Sequence, residues 1–211
     1  MPRLTGVVPG HGDRSRPFGV RGIATLLVLL ALGGCGGMKI EEFAGTTPAF
    51  VPEEYFVGKT RAWGIFQDRF GKVRRQMVVD IDGRVEGETL ILDEFFRYSD
   101  GETEQRTWRL SRVAPGRYEG TANGVVGTAV ARTEGQAMNL VYDFDLKVGE
   151  SVWRVHFDDW IWQQEDGVLV NRTTVSKFGF TLGEVSLFFQ KVPGSAAHAE
   201  PVTEYTQKAA E

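Results

Sequence analysis

Apolar and polar residues alternate with a period of two through most of the stretch between Gly58 and Val192. The clearest run puts apolar side chains on one parity and mostly polar ones between them: Met138, Leu140, Tyr142, Phe144 and Leu146. Because successive side chains of a strand point to opposite faces, this alternation predicts strands with one buried face. No segment of the stretch shows a convincing long helical period.

Turn signals separate these alternating runs. Asp-Gly and Asn-Gly pairs, which are strong hairpin signals between alternating segments, occur at Asp82-Gly83, Asp100-Gly101, Asn123-Gly124 and Asp166-Gly167. The spacing predicts about ten strands joined mostly by tight turns. Consecutive hairpins form a meander, and closing the meander removes exposed strand edges. We therefore expect an all-β fold, an antiparallel up-and-down meander closing into a calycin-like barrel of about 8–10 strands. A β-sandwich is the alternative.

One strand changes phase. Trp153, Val155 and Phe157 share one parity, whereas Trp160 and Trp162 take the other. A β-bulge at Asp158-Asp159 would keep all the large rings on one side of the sheet. The alternative is a turn at Asp158-Asp159 that divides the strand in two.

The N-terminal segment has the features of an export signal. Arg21 precedes an apolar run, Ile23–Leu32, and small residues follow it. The run is too short to span a bilayer, and its flanks are typical of a signal peptide over residues 1–34. Leu32-Gly33-Gly34-Cys35 resembles the bacterial lipobox, which implies cleavage before Cys35 and lipid on its thiol. A plain signal peptide with an unrelated cysteine is the alternative.

Several acyl chains would make this anchor durable. The partner implied is a membrane, and the expected location is the cell envelope, facing the periplasm. Gly36 and Gly37 follow the cysteine without an aspartate, which favours the outer membrane over the inner one. Residues 1–19 show no periodicity, and we suspect that translation starts at Val20.

Composition supports a domain flanked by two less regular segments. Residues 35–57 are interpreted as the lipidated N-terminus and tether, 58–192 as the β-barrel domain, and 193–211 as a disordered tail. The formal charge is −4, and the first 35 residues hold four arginines and one aspartate, so the remainder is near −7. An acidic domain lacks the phosphate attraction that drives nucleic-acid binding, so no nucleic-acid partner is expected.

Four stretches carry a resemblance to a known family: Gly45–Phe50, Gly58–Gly64 with Asp68–Gly71, Trp153–Trp160, and Ser176–Phe180 with Gly183–Val185. Together they resemble the DUF3833 family of bacterial lipoproteins of unknown function over most of Met38–Gln190. The resemblance implies a lipoprotein and little about activity. The likeness to lipocalins and fatty-acid-binding barrels is architectural, and fold alone does not give function.

The signals for an enzyme are weak, and the chain is interpreted as non-enzymatic. No His, Cys and Asp spacing suits zinc, and there is no phosphate loop or dinucleotide motif, so neither a metal nor a cofactor is expected. The best cluster is His156 and Asp158, with Asp159, beside Trp153 and Trp160. Its simpler interpretation is a polar strand face in contact with water.

Several cations lie where an apolar cavity would place a ligand's head group. Arg75 and Arg106 share parities with Met77 and Trp108, while Arg172 and Lys177 belong to the polar segment Asn171–Lys177. An arginine in an apolar cavity needs a partner, because burying an unpaired charge is costly. A fatty-acid head group is one such partner. Structural ion pairs with Glu94, Glu104 or Asp159 are the other.

Three functions follow from these observations. The first is a membrane-anchored lipoprotein that binds a fatty acid or other lipid in its barrel, with Arg75, Arg106, Trp108, Trp153, His156, Asp158, Arg172 and Lys177 as candidate ligand contacts. The second is an envelope structural or interaction protein with a filled barrel and an exposed aromatic patch. The third, least favoured, is an enzyme acting on lipid or cell wall through His156 and Asp158.

Overall fold

A computed structural model describes residues 37–194. The chain separates into two units, Met1–Met38 and Lys39–Glu211, and the account below concerns the second. The predicted signal peptide, Cys35 and residues 195–211 lie outside the described residues. Within residues 37–194 no helix is both long and apolar enough to cross a bilayer.

Ten antiparallel strands follow one another in chain order. They are β1 (Gly58–Asp68), β2 (Val73–Glu86), β3 (Thr89–Tyr98), β4 (Thr103–Ala114), β5 (Arg117–Thr121), β6 (Val125–Glu134), β7 (Ala137–Val148), β8 (Ser151–Gln163), β9 (Leu169–Lys177) and β10 (Phe180–Lys191). Each pairs with the next, and β10 pairs with β1, so the sheet closes. The prediction of an all-β, up-and-down barrel is confirmed, and the sandwich is excluded.

Short helical segments lie outside the barrel wall. They are a 3₁₀ turn (Ile40–Phe43), helix α1 (Pro52–Phe56) and a 3₁₀ turn (Glu165–Gly167). Pro52 begins α1, where its missing N–H costs no helical hydrogen bond. Val57 then returns to extended backbone and leads into β1.

Helix α1 caps one end of the barrel. Phe50, Tyr55 and Phe56 are buried there, and the rings of Phe56 and Phe189 lie 6.0 Å apart. The Tyr55 hydroxyl donates a hydrogen bond of 2.8 Å to the carbonyl of Gly167. This part of the predicted tether therefore belongs to the folded body.

A glycine lets the cap approach the wall. A Cβ at Gly83 would lie 2.0 Å from the carbonyl oxygen of Phe56. Gly83 lies inside β2 and faces inward, and the strand continues to Glu86. The expectation of a hairpin turn at Asp82-Gly83 is therefore wrong, and the chain turns at Gly87, which has φ 61°.

Strand β8 is continuous, which corrects two further expectations. Its register with β7 runs without a shift through Asp158 and Asp159, so neither the bulge nor the turn exists there. As a result Trp160 and Trp162 lie on the outer wall, where their rings stack 6.1 Å apart. Trp160 is covered by Phe43 at 6.0 Å. Asp159, by contrast, faces the interior and is 8% exposed.

The capped half of the interior is densely packed. Side chains there are almost fully buried: Val79 at 2%, Leu90 at 1% and Leu169 at 0% exposure. Close packing of this kind makes removal of buried methylenes costly.

Phe56→Ala should therefore lower the free energy of unfolding by roughly 3–5 kcal/mol, since it leaves a cavity beneath the cap. Phe188→Ala is the control, because Phe188 is 53% exposed on the outer wall and such positions shift stability by about 0.5 kcal/mol or less. Urea denaturation followed by circular dichroism gives both values. Equal losses for the two variants would contradict the role of α1 as a cap.

Candidate functional site

The two ends of the barrel differ. In an up-and-down barrel alternate turns lie at opposite ends, so the turns after β1, β3, β5, β7 and β9 share the end opposite α1, here named the open end. Inward-facing apolar side chains toward the open end are only partly buried: Phe66, Phe157, Val185 and Leu187. They pack against the core and remain partly exposed.

A group of polar side chains faces the interior between these two halves. It is named the lumen cluster and consists of Glu94, Glu104, Arg106, Tyr142, Asp159, Asn171 and Thr173. Strands β3, β4, β7, β8 and β9 supply it. The register sets Glu94 opposite the charge of Arg106 and Asp159 opposite the hydroxyl of Thr173.

Asp159 is held by three neighbours. The Asn171 side-chain amide donates a 3.1 Å hydrogen bond to its carboxyl, and the Thr173 hydroxyl donates to the same oxygen. The Tyr142 hydroxyl also faces it. Burial raises the pKa of Asp159 above its usual range, although these donors oppose the shift.

Arg106 is the cation of the cluster. Its Nη2 donates a 2.6 Å hydrogen bond to Glu104, and its guanidinium lies 4.6 Å from the ring centre of Phe144 and 5.1 Å from that of Phe96. Burial lowers the pKa of Arg106, but Glu94, Tyr142 and Glu104 together outweigh this effect and leave the pKa raised. The buried Nε has no hydrogen-bond partner among residues 37–194.

Glu94 has the most unusual environment. Its side chain is only partly exposed, yet no side-chain hydrogen bond reaches its carboxyl from the part of the chain that the structure describes. Burial raises the pKa of Glu94 to about 7, and the nearby Arg106 reduces the shift.

Arg75 and Trp108 lie where the sequence placed them, on inward parities. The Arg75 guanidinium covers the ring of Tyr98 at 3.6 Å and forms an ion pair of 2.8 Å with Asp100. Trp108 packs edge-on to Tyr142 with ring centres 5.2 Å apart. Arg75 thus already has a carboxylate partner in the turn after β3.

Arg172 is on the other side of the wall. It pairs with Glu184 at 2.7 Å, and its side chain is 61% exposed. The expectation that Arg172 reaches into the barrel is wrong, because Asn171 and Thr173 occupy the inward parity of β9. Lys177 lies at the open end, with Nζ 5.1 Å from the ring of Trp153.

His156 and Asp158 both lie on the outer wall but have different partners. His156 Nδ1 is 2.9 Å from Asp143 on β7, whereas Asp158 accepts a 2.6 Å hydrogen bond from Asn139. Trp153, near the open end, is 41% exposed. His156 and Asp158 therefore belong to the solvated polar face of the wall, and their side chains make no contact with those of the lumen cluster.

Sequence reasoning missed part of the cluster. It treated Glu94 and Glu104 only as ion-pair partners, grouped Asp159 with His156 and Asp158, and assigned no role to Tyr142, Asn171 or Thr173. The signal was present, since Asp159 has the same parity as Val155 and Phe157. Among the described residues no three His, Cys, Asp or Glu side chains form a group that could hold a metal ion.

Comparisons with known proteins bear on the family and the fold. A family model described as "Protein of unknown function (DUF3833)" matches residues 29–191. The S-type phycobiliprotein lyase CPES from Guillardia theta is 13% identical, with a TM-score of 0.48 covering 73% of this chain and 92% of that one. The comparison with curated proteins found no match.

Glu94 predicts an unusual pH dependence. Its pKa is higher in the folded state than the usual 4.5, so its contribution to stability is complete below that value and is lost as pH rises through about 7. Glu94→Gln should therefore be more stable than the parent at pH 8 by roughly 1–3 kcal/mol, and its stability should fall less between pH 5 and 7.5.

Urea denaturation across this pH range tests the effect. Glu88→Gln is the matched control, because it removes one carboxylate from the exposed turn after β2. A Glu94→Gln profile parallel to that of the parent would mean that Glu94 does not carry the proton.

Proposed function

The chain belongs to the DUF3833 family of proteins of unknown function, and from that premise we propose that its barrel binds a lipid or similar hydrophobic ligand through the open end. The observation that carries the proposal is the incomplete hydrogen bonding of Arg106 and Glu94 inside the barrel. Buried polar groups without partners are costly, so a ligand that supplies the missing contacts would stabilise the folded state.

The walls above the lumen cluster suit an apolar ligand. Tyr142 stacks on Phe157 at 5.0 Å, and Phe157 meets Phe144 edge-on at 5.7 Å. Phe66 and Val185 face the same space from β1 and β10, where they pair directly. A few polar groups converging in an apolar surround are typical of small-molecule sites.

The charges indicate the kind of head group. Three carboxyls, Glu94, Glu104 and Asp159, face one guanidinium, that of Arg106. A fatty-acid carboxylate would add a fourth acid to this set. A neutral head with a hydroxyl or amide fits better, because it can accept from Arg106 and donate to Glu94.

Filling the open half should block binding. Val185→Trp puts an indole into the space, and we expect it to weaken binding of the neutral fluorescent probe N-phenyl-1-naphthylamine by at least about tenfold. Ser186→Trp is the control, since the adjacent residue faces outward on the same strand. Probe fluorescence titrations give the dissociation constants, and circular dichroism checks the fold.

Native mass spectrometry of the parent protein complements the titration. A co-purifying lipid that is absent from Val185→Trp supports the proposal. Equal probe binding by both variants, or none by the parent, would overturn it and favour a filled barrel that serves as an interaction module.

We also propose that the chain is a lipoprotein of the cell envelope, anchored through Cys35 and facing the periplasm. The support is sequence alone: an apolar run ending at Leu32-Gly33-Gly34-Cys35. The match to the family begins at residue 29 and so includes these four residues. The lack of an aspartate after Cys35 favours the outer membrane.

Cys35→Ser should abolish incorporation of labelled palmitate and leave the precursor uncleaved, because the thiol is the acceptor. Gly37→Ser, outside the four-residue motif, should label normally. Palmitate labelling of cells followed by electrophoresis measures both. If the Cys35→Ser protein still incorporated label, the lipid would not be attached to Cys35.

A further inference from the structure

Large apolar side chains protrude into solvent at the open end. Phe178 is 88% exposed, Phe70 73%, Phe180 72%, Val152 65% and Trp153 41%. These five residues are named the aromatic rim. Single exposed apolar residues are ordinary on protein surfaces, whereas a cluster marks an interaction site.

The pairing of the strands brings the rim together. Because β1 pairs with β10, and β9 with both β10 and β8, the turns after β1, β9 and β7 are neighbours. The backbone N–H of Arg69 donates a 2.9 Å hydrogen bond to Leu182, which ties the first two turns. Lys177 Nζ lies 5.1 Å from the rings of both Trp153 and Phe178, which ties the last two.

Phe178 combines an exposed ring with a strained backbone conformation. Phe178 has φ 52°, and Gly179 follows with φ 80°. Turns with two such residues favour Asn-Gly or Asp-Gly, and a bulky residue with positive φ is an outlier. Strain of this kind concentrates at functional sites.

Charge distinguishes the rim from the rest of the molecule. Residues 68–74, 147–153 and 177–180 hold five basic and two acidic side chains, although the chain as a whole carries −4. The turn after β3 lacks this basic excess, and its Asp100 and Glu102 both pair with Arg75. The excess of basic side chains thus lies on the same arc of the open end as the aromatic rim.

We propose that the aromatic rim docks on a lipid bilayer containing anionic lipids. Aromatic rings concentrate at the membrane interface, and neighbouring lysines and arginines add attraction to anionic head groups. Arg69 beside Phe70 and Lys177 beside Phe178 combine both features within single turns. A stable protein interface needs roughly 20–30 residues on each side, more than these tips present.

This surface is independent of lipid binding in the barrel and of the Cys35 anchor. Docking through the aromatic rim would turn the open end, near which Phe66 and Val185 lie, toward the bilayer.

Site-specific labelling tests the docking on the full chain. Cys35 is the only cysteine, so Cys35→Ser provides a background for Phe178→Cys carrying an environment-sensitive fluorophore. Phe188→Cys is the matched control on the outer wall, where the native ring is 53% exposed. The label reports contact at its own position, so vesicle binding by the N-terminal segment does not imitate the signal.

With phosphatidylcholine vesicles containing phosphatidylglycerol, the label at Phe178 should shift to the blue and be quenched by nitroxide lipid. The label at Phe188 should remain unchanged. Adding Phe70→Ser and Phe180→Ser should weaken the response at Phe178 by roughly tenfold for each ring removed. Vesicles of phosphatidylcholine alone should give a weaker response.

Three outcomes would overturn the proposal. One is a Phe178 label that stays in water with every vesicle, and another is an equal response at Phe188. The third is a blue shift that needs no lipid and grows with protein concentration, which would assign the rim to a second copy of this chain.

Discussion

Closure of the sheet between β1 and β10 is the constraint from which the other features follow. The ladder runs from Thr60 opposite Lys191 to Asp68 opposite Gly183 without a shift. Because strand side chains alternate with a period of two, a closed sheet sends every second residue into a common interior. A polar residue on the inward parity therefore cannot place its side chain on the outer surface of the barrel. Asp159, Glu94 and Arg106 are therefore directed into the interior by their position in the register.

The polar side chains inside the barrel are compensated by their neighbours to different degrees. Asp159 is compensated by Asn171 and Thr173, and Arg106 by Glu104 and two aromatic rings. Glu94 has charge nearby but no hydrogen bond among the described residues. A buried carboxyl in that position lowers its cost by holding a proton, which explains the direction of its pKa. The same proton makes it a donor to a neutral ligand.

Alternation and turn signals were sufficient to predict the barrel, since each strand and most hairpins are local properties of the chain. The β8 prediction failed because it gave more weight to the size of Trp160 and Trp162 than to the parity of Val155 and Phe157. Large rings do not require the interior when they pack on the outer wall, as Trp160 does against Phe43 and Trp162. The prediction of a turn at Asp82-Gly83 failed for a related reason. Gly83 allows the close approach of Phe56, which is a contact between segments far apart in sequence. The prediction for Arg172 failed because this residue lies on the outward parity of β9, between the inward-facing Asn171 and Thr173.

The location of the aromatic rim is a second feature that the sequence alone did not predict. Lys177-Phe178-Gly179-Phe180 was informative in the sequence as part of a family resemblance, but its exposure depends on where the hairpin ends relative to the barrel wall. Helix α1 covers the other end with Phe50, Tyr55 and Phe56. Aromatic residues are therefore buried at the capped end of the barrel and exposed at the open end. Burying Phe56 stabilises the fold through packing. Leaving Phe178 in water with a positive φ gives up that stabilisation, and docking on a bilayer, as proposed above, would explain this asymmetry.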